Sequence, residues 1–139
     1  MKGFTLIELL VVISIISLFL AISILGVLHY RDRARDVRVE SSLTQTKAVA
    51  TMINNDTDSF RRICDEGNNT INDSDSDYSS LRIIENDVKA FNNNRDVKCY
   101  ASDTAFCVSS PLSAESYCVD FTGYSGREKT ICDTSVICH

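Results

Sequence analysis

Three groups of residues in this chain have types and spacings able to do chemistry. The first is Glu8, the single charge among the 25 residues from Phe4 to Leu28. A carboxylate set in so apolar a run is costly in lipid, which makes it a functional candidate, with snorkelling to the interface as the alternative. The second group is six cysteines: Cys64, Cys99, Cys107, Cys118, Cys132 and Cys138. No two are spaced CxxC, and the two histidines sit at odd places for a zinc site: His29 far ahead of the first cysteine and His139 directly after the last. That disfavours zinc and points to a disulfide framework in an oxidising compartment, with the connectivity open. The third group is Asp73, Asp75 and Asp77, which alternate like the start of a calcium loop. The glycine expected after the third acid is Tyr78, and the position of the closing glutamate is Ile84. These three are therefore weak calcium candidates within a solvated loop, and no metal or other cofactor is required.

Nothing else suggests catalysis. Neither histidine neighbours a paired acid, no glycine-rich phosphate loop is present, and disulfide-bonded cysteines are not nucleophiles. The chain is not expected to be an enzyme.

The elements that must position these groups divide the 139 residues into two populations. Residues 4–28 would make a helix of about 37 Å, enough for a bilayer core of about 30 Å. Ser14, Ser17 and Ser23 can return their hydroxyls to its backbone, and Gly26 is its only helix-weakening residue. From His29 to about residue 56 neither proline nor glycine stops the helix. On this second half Tyr30, Ala34, Val37, Ala48 and Met52 form one apolar stripe, and Val39, Leu43, Ala50 and Ile53 form another near the opposite side. A helix docked on one core needs a single stripe, so two suggest one face for its own domain and one for another molecule. A helix covered on both sides by its own domain is the alternative.

Beyond residue 56 the chain reads as a small head. Gly67–Ser80 is a polar loop, and Leu81, Ile83, Ile84 and Val88 belong to a short helix or strand. Val97–Ala101, Ala105–Ser109 and Ser116–Thr122 alternate as strands. A meander of these three would put Cys99, Cys107 and Cys118 at similar heights. Phe106, Val108, Tyr117, Val119 and Phe121 would then turn to the helix. Gly123 and Gly126 mark the turn after the last strand, and Cys132 with Cys138 would close a terminal loop. The expected fold is α+β: a long N-terminal helix, transmembrane in its first half, with a small disulfide-bonded antiparallel β head. The net charge of -5 falls wholly in residues 67–139, where six basic residues face eleven acidic ones. Such a surface repels phosphate backbones, so no nucleic-acid partner is expected.

Met1-Lys-Gly-Phe-Thr-Leu-Ile-Glu-Leu-Leu10 resembles the N-terminus of bacterial type IV pilins and of type II secretion pseudopilins. The likeness covers a short basic leader ending in Gly3, then Phe4 to Glu8, then the apolar helix. An ordinary secretory signal has its apolar core before the cleavage site, whereas here the candidate cleavage precedes it. The resemblance implies a leader of residues 1–3, cut after Gly3 by a prepilin peptidase that also methylates the new amino group of Phe4. It implies that Glu8 pairs with the Phe4 amine of a neighbouring subunit as a filament grows. The expected partners are further copies or homologous pilins, the peptidase, the inner-membrane assembly machinery, and membrane lipid before assembly. The domains would be 1–3 leader, 4–28 transmembrane half-helix, 29–56 amphipathic half-helix and 57–139 head. Residues Ile22–Val27 hold no proline, so a proline-driven kink is not expected.

Topology brings two signals into conflict. Arg31, Arg33, Arg35 and Arg38 follow the apolar run, and a positive-inside count would leave the C-terminus in the cytoplasm. The leader and the cysteines place it outside, as a single-pass inner-membrane protein that then enters an extracellular or periplasmic filament. The expected function is a structural filament subunit. The alternatives are a secretion pseudopilin, a minor tip pilin acting as an adhesin or binding module, and a membrane-anchored head that never polymerises.

Overall fold

The apolar run and the segment behind it form one helix, α1 (Leu6–Thr57). Its end is set by Asp58, which takes the left-handed conformation (φ 55°) while its N–H bonds to the Asn54 carbonyl at 2.8 Å. Such a residue closes a helix because it turns the chain while satisfying a terminal carbonyl. This computed structural model describes residues 5–129 and 131–138, with side chains described save at 24–26, 28 and 29. The chain divides into two compact units, residues 1–34 and 35–139.

In the first unit the stretch Leu6–Ser23 is long and apolar enough to cross a membrane. Its mean hydropathy is 2.7 and none of it is buried. Ser14, Ser17 and Ser23 donate their hydroxyls to the carbonyls of Leu10, Ile13 and Phe19 at 2.7–2.9 Å. The serines therefore present no unsatisfied hydroxyl to lipid.

The second unit begins on the helix at Arg35, because Val39, Leu43, Ala50 and Ile53 belong to its core. After α1 come a 3-10 turn (Arg61–Ile63), β1 (Cys64–Asp65), β2 (Thr70–Ile71) and α2 (Ser79–Phe91). The sheet follows: β3 (Lys98–Ala101), β4 (Phe106–Pro111), β5 (Ser116–Asp120) and β6 (Ser125–Glu128). β1 and β2 form a small antiparallel hairpin, and β3-β4-β5-β6 form an antiparallel meander. Leu81, Ile84 and Val88 of α2 are buried at helical spacing while Ile83 is exposed, which resolves that segment as a helix.

The register decides what each face of the sheet does. Cys99 stands opposite Val108, and Val108 opposite Val119. Directly opposed residues point the same way. Cys99, Phe106, Val108 and Val119 are therefore all in the core shared with α1 and α2. Cys107 stands opposite Tyr100 and Asp120 and so turns to the other face, with Ser109 and Cys118. The three-cysteine alignment expected from the sequence is corrected: Cys99 lies one residue out of step with Cys107, on the opposite face. Phe121 is likewise not a core residue. It follows β5 and is 41% exposed.

Two further corrections come from short-range geometry, at Gly126 and within the Gly67–Ser80 loop. A fourth strand, β6, contains Gly126, where only a turn was expected. Its sequence, Ser-Gly-Arg-Glu, has no apolar alternation to reveal it. The turn itself belongs to Gly123, at φ +93°, a conformation that side-chain-bearing residues rarely adopt. The loop expected over Gly67–Ser80 holds β2, and Ile71 within it is fully buried.

Candidate functional site

The N-terminal segment opens on a reciprocal cap. The Thr5 N–H donates to Glu8 Oε2 at 2.9 Å, and the Thr5 hydroxyl donates to the same oxygen at 2.8 Å. The Glu8 N–H returns a long bond to Thr5 Oγ1 at 3.4 Å. This is the capping box that Thr5-Leu-Ile-Glu8 encodes: a hydroxyl before the first turn and a carboxylate three residues on. The Thr-x-x-Glu spacing was the signal in the sequence, and it adds a local role to the one expected for Glu8. Gly3 and Phe4, the expected cleavage and methylation positions, lie outside the described residues. Around Glu8 the apolar side chains of Leu6, Ile7, Leu9 and Leu10 are all more than half exposed. Within the described part of this unit, Glu8 has no core to pack against.

Residues 1–28 match the family model of the prokaryotic N-terminal methylation motif. This segment resembles a prepilin leader and helix. The match fits the start of a type IV pilin or pseudopilin, and the apolar helix, antiparallel sheets and disulfides fit a pilin-like α+β fold. Neither a curated protein nor a solved structure matches the chain. An apolar N-terminal helix with this motif fits membrane anchoring.

On α1 the two expected stripes separate cleanly. Val39, Leu43, Ala50 and Ile53 are at most 1% exposed, whereas Val37 and Met52 are about half exposed, at 53% and 50%. Ala34 and Ala48 are exposed with them, as is Tyr30. Within the second unit, then, the Val39–Ile53 stripe is covered, while Val37, Ala48 and Met52 are not. The unit is fastened along the helix by polar contacts: Asp36 accepts from the Ser113 N–H and hydroxyl, both at 3.0 Å. Lys47 donates to the Gly123 carbonyl.

All six cysteines are paired, as Cys64–Cys99, Cys107–Cys132 and Cys118–Cys138. The first bond joins the β1–β2 hairpin to β3 on the core side. The other two hold the C-terminal tail against the opposite face of the sheet. There the Cys132 N–H donates to Ser109 Oγ at 2.9 Å and the Cys138 N–H to Asp120 Oδ2 at 3.1 Å. The expected Cys132–Cys138 loop is thereby corrected. Each of these cysteines faces a strand cysteine, which anchors the tail covalently, and Val136 packs against the small buried cluster of Cys107, Cys118 and Cys132. The sulfurs of Cys107, Cys118 and Cys132 lie within 4.8 Å of one another, but each is in a disulfide and none is a thiolate ligand.

The aspartate loop is organised by a residue that the sequence did not single out. Arg62 donates to Asp75 through Nε and Nη2, both at 2.8 Å, and to Asp77 through Nη2 at 2.7 Å. Its guanidinium also lies over the Tyr78 ring, 4.8 Å from the centroid. Burial alone would raise the Asp75 carboxyl, but the bonds from Arg62 and from the Asp77 N–H outweigh it and hold it below the usual range. Two of the three calcium candidates, Asp75 and Asp77, thus face a resident cation. Asp73 instead borders a polar cleft beside Lys89.

Glu85, on α2, was not anticipated as a site. Its side chain is almost wholly buried, with Lys89 Nζ 2.7 Å from Oε1. Burial raises its carboxyl above the ordinary value, with Lys89 opposing. An i,i+4 Glu-Lys pair was visible in the sequence, but the depth of the glutamate was not.

Proposed function

We propose that this chain is a pilin-like structural subunit that polymerises into a cell-surface filament after cleavage behind Gly3 and methylation of Phe4. The observation that carries the reading is Glu8, the one charge of an apolar helix that bears the N-terminal methylation motif. In lipid a lone carboxylate needs a cation. Cleavage behind Gly3 would create one on Phe4, and in a filament the amine of the neighbouring subunit meets Glu8 as both leave the bilayer. Burying the charges together removes the penalty each carries alone. The uncovered stripe of Val37, Ala48 and Met52 supports the same arrangement, because helices bundled in a filament bury a second face.

Before assembly the chain would cross the inner membrane once, with its disulfide-bonded head outside the cytoplasm. Its partners would be copies or homologues of itself, the prepilin peptidase and the assembly machinery. The methylation motif is common to pseudopilins, so a short secretion filament is the second reading. The densely disulfide-bonded head favours the exposed surface filament.

Mass spectrometry of the processed N-terminus, with electron microscopy of the same cells, tests the proposal. A mature chain beginning at methylated Phe4, together with filaments containing it, is expected. A chain still beginning at Met1 contradicts it, as does a topology reporter fused after His139 that reads cytoplasmic.

A further inference from the structure

Three Asn-X-Ser/Thr triplets occur in the chain: Asn55-Asp-Thr57, Asn68-Asn-Thr70 and Asn72-Asp-Ser74. In an extracytoplasmic protein such a triplet is an acceptor for an N-linked glycan. Transfer needs the asparagine amide and the hydroxyl two residues later to be reachable together, and the structure separates the three on that criterion. Asn55 lies in the last turn of α1, where the Thr57 hydroxyl is engaged by the carbonyls of Ile53 and Ser59 at 2.8 and 3.0 Å. Asn72 is half-buried. Its Nδ2 donates to the Arg62 carbonyl at 3.1 Å and its Oδ1 accepts from the Ser74 hydroxyl at 3.0 Å.

Asn68 is different. It sits exposed at the tip of the β1–β2 hairpin, and it lines the same open cleft, of about 380 Å³, as Thr70. Exposed Asn68 and half-buried Thr70 thus border one cleft. The Thr70 hydroxyl makes no hydrogen bond among the described residues, and the Asn68 amide donates to a neighbour within the hairpin, Asp65 Oδ2, at 2.8 Å. Two residues before Asn68 stands Glu66, whose side chain is 70% exposed. An acid at that place completes the longer acceptor sequence that bacterial N-linked transferases read, acid-X-Asn-X-Ser/Thr. Residues Ile53 and Thr70 occupy the same place before Asn55 and Asn72, so only the hairpin triplet has it.

We propose that Asn68 is an acceptor for an N-linked oligosaccharide delivered from a polyprenyl-pyrophosphate carrier by a membrane transferase. The bond from Asn68 Nδ2 to the sugar C1 forms as the bond from C1 to the pyrophosphate oxygen breaks. The pyrophosphate leaves with the electron pair, and the amide proton passes to a base of the transferase. Glu66 and Thr70 are the recognition residues on either side of the reacting amide. The site rests on the extracytoplasmic orientation of the head proposed above.

The test is to express the full chain in a bacterial host carrying an N-linked transferase and its lipid-linked oligosaccharide. A control acceptor sequence is appended after His139. Peptides spanning Asn55, Asn68, Asn72 and the control are then sequenced by fragment-ion mass spectrometry after reduction. Sugar on both the control and Asn68, with Asn72 and Asn55 bare, is expected. Asn68→Gln and Thr70→Ala lose the Asn68 modification and keep the control, while Thr70→Ser retains both. A modified control with bare Asn68 overturns the proposal while leaving the orientation intact. A bare control places the head in the cytoplasm, which overturns the orientation and the acceptor site with it.

Discussion

Glu8 offers one and the same carboxylate oxygen to both donors of Thr5. Oε2 receives both the Thr5 N–H and the Thr5 hydroxyl, while Oε1 has no partner among the described residues. One side chain can thus cap its own helix and still accept an amine from a neighbour.

That division separates two substitutions. Glu8→Ala should abolish filaments while membrane insertion continues, because the inter-subunit pair is lost and the helix becomes more apolar. Thr5→Ala should fray only the first turn, seen as faster amide exchange near Leu6 and Ile7, with filaments retained. Electron microscopy and membrane fractionation of the two variants check this. Normal filaments from Glu8→Ala would remove Glu8 from assembly.

The two faces of α1 make a second contrast. Leu43 is fully buried, so Leu43→Ala should destabilise the head by about 2–5 kcal/mol. Val37→Ala and Met52→Ala remove exposed side chains and should leave urea unfolding of the detergent-solubilised chain nearly unchanged. If the outer stripe packs in a filament, the same two variants should lower filament yield. A large loss of head stability from Met52→Ala would show that the stripe serves its own domain.

The disulfides should differ in what they hold. Cys64–Cys99 bridges a sequence separation of 35 residues, and replacing both with serine should cost about 3–4 kcal/mol through the freed unfolded chain. Replacing Cys138 with serine should instead release mainly the tail. Hydrogen exchange is expected to rise over residues 131–138 and to change little in β4 and β5. Equal loosening of the whole sheet would contradict a tail-anchoring role.

Glu85 and Asp75 should pull the pH dependence in opposite directions. Glu85 binds its proton more tightly in the fold than its ordinary value of 4.5. The stability it contributes is therefore present below that value and lost as pH rises through the raised one. The Asp75 carboxyl is held low, so its contribution is present above the ordinary aspartate value and lost on acidification. Urea unfolding across this range should show Glu85→Gln flattening the decline towards neutral pH. Asp75→Asn should weaken the acid-side loss. An unchanged profile in Glu85→Gln would mean that Lys89 offsets the burial completely.

Local order was readable wherever it governs structure. The uninterrupted helix follows from the absence of proline and from a single glycine between Phe4 and Thr57. The two stripes were legible because helical periodicity alone sorts Val39 and Leu43 from Val37 and Met52. Which stripe would be covered was not, since both are apolar and only the docked sheet distinguishes them.

The sequence by itself determined the membrane-length helix, its lone Glu8 and the leader motif, because each depends on residues close together in the chain. The tertiary structure decided the rest. Strand register turned Cys99 away from Cys107 and sent Cys132 and Cys138 to separate strand partners, since a one-residue offset reverses a side chain's face. Folding likewise brought Arg62 to Asp75 and buried Glu85. These pairings join residues far apart in sequence or depend on depth, and neither is written in local spacing.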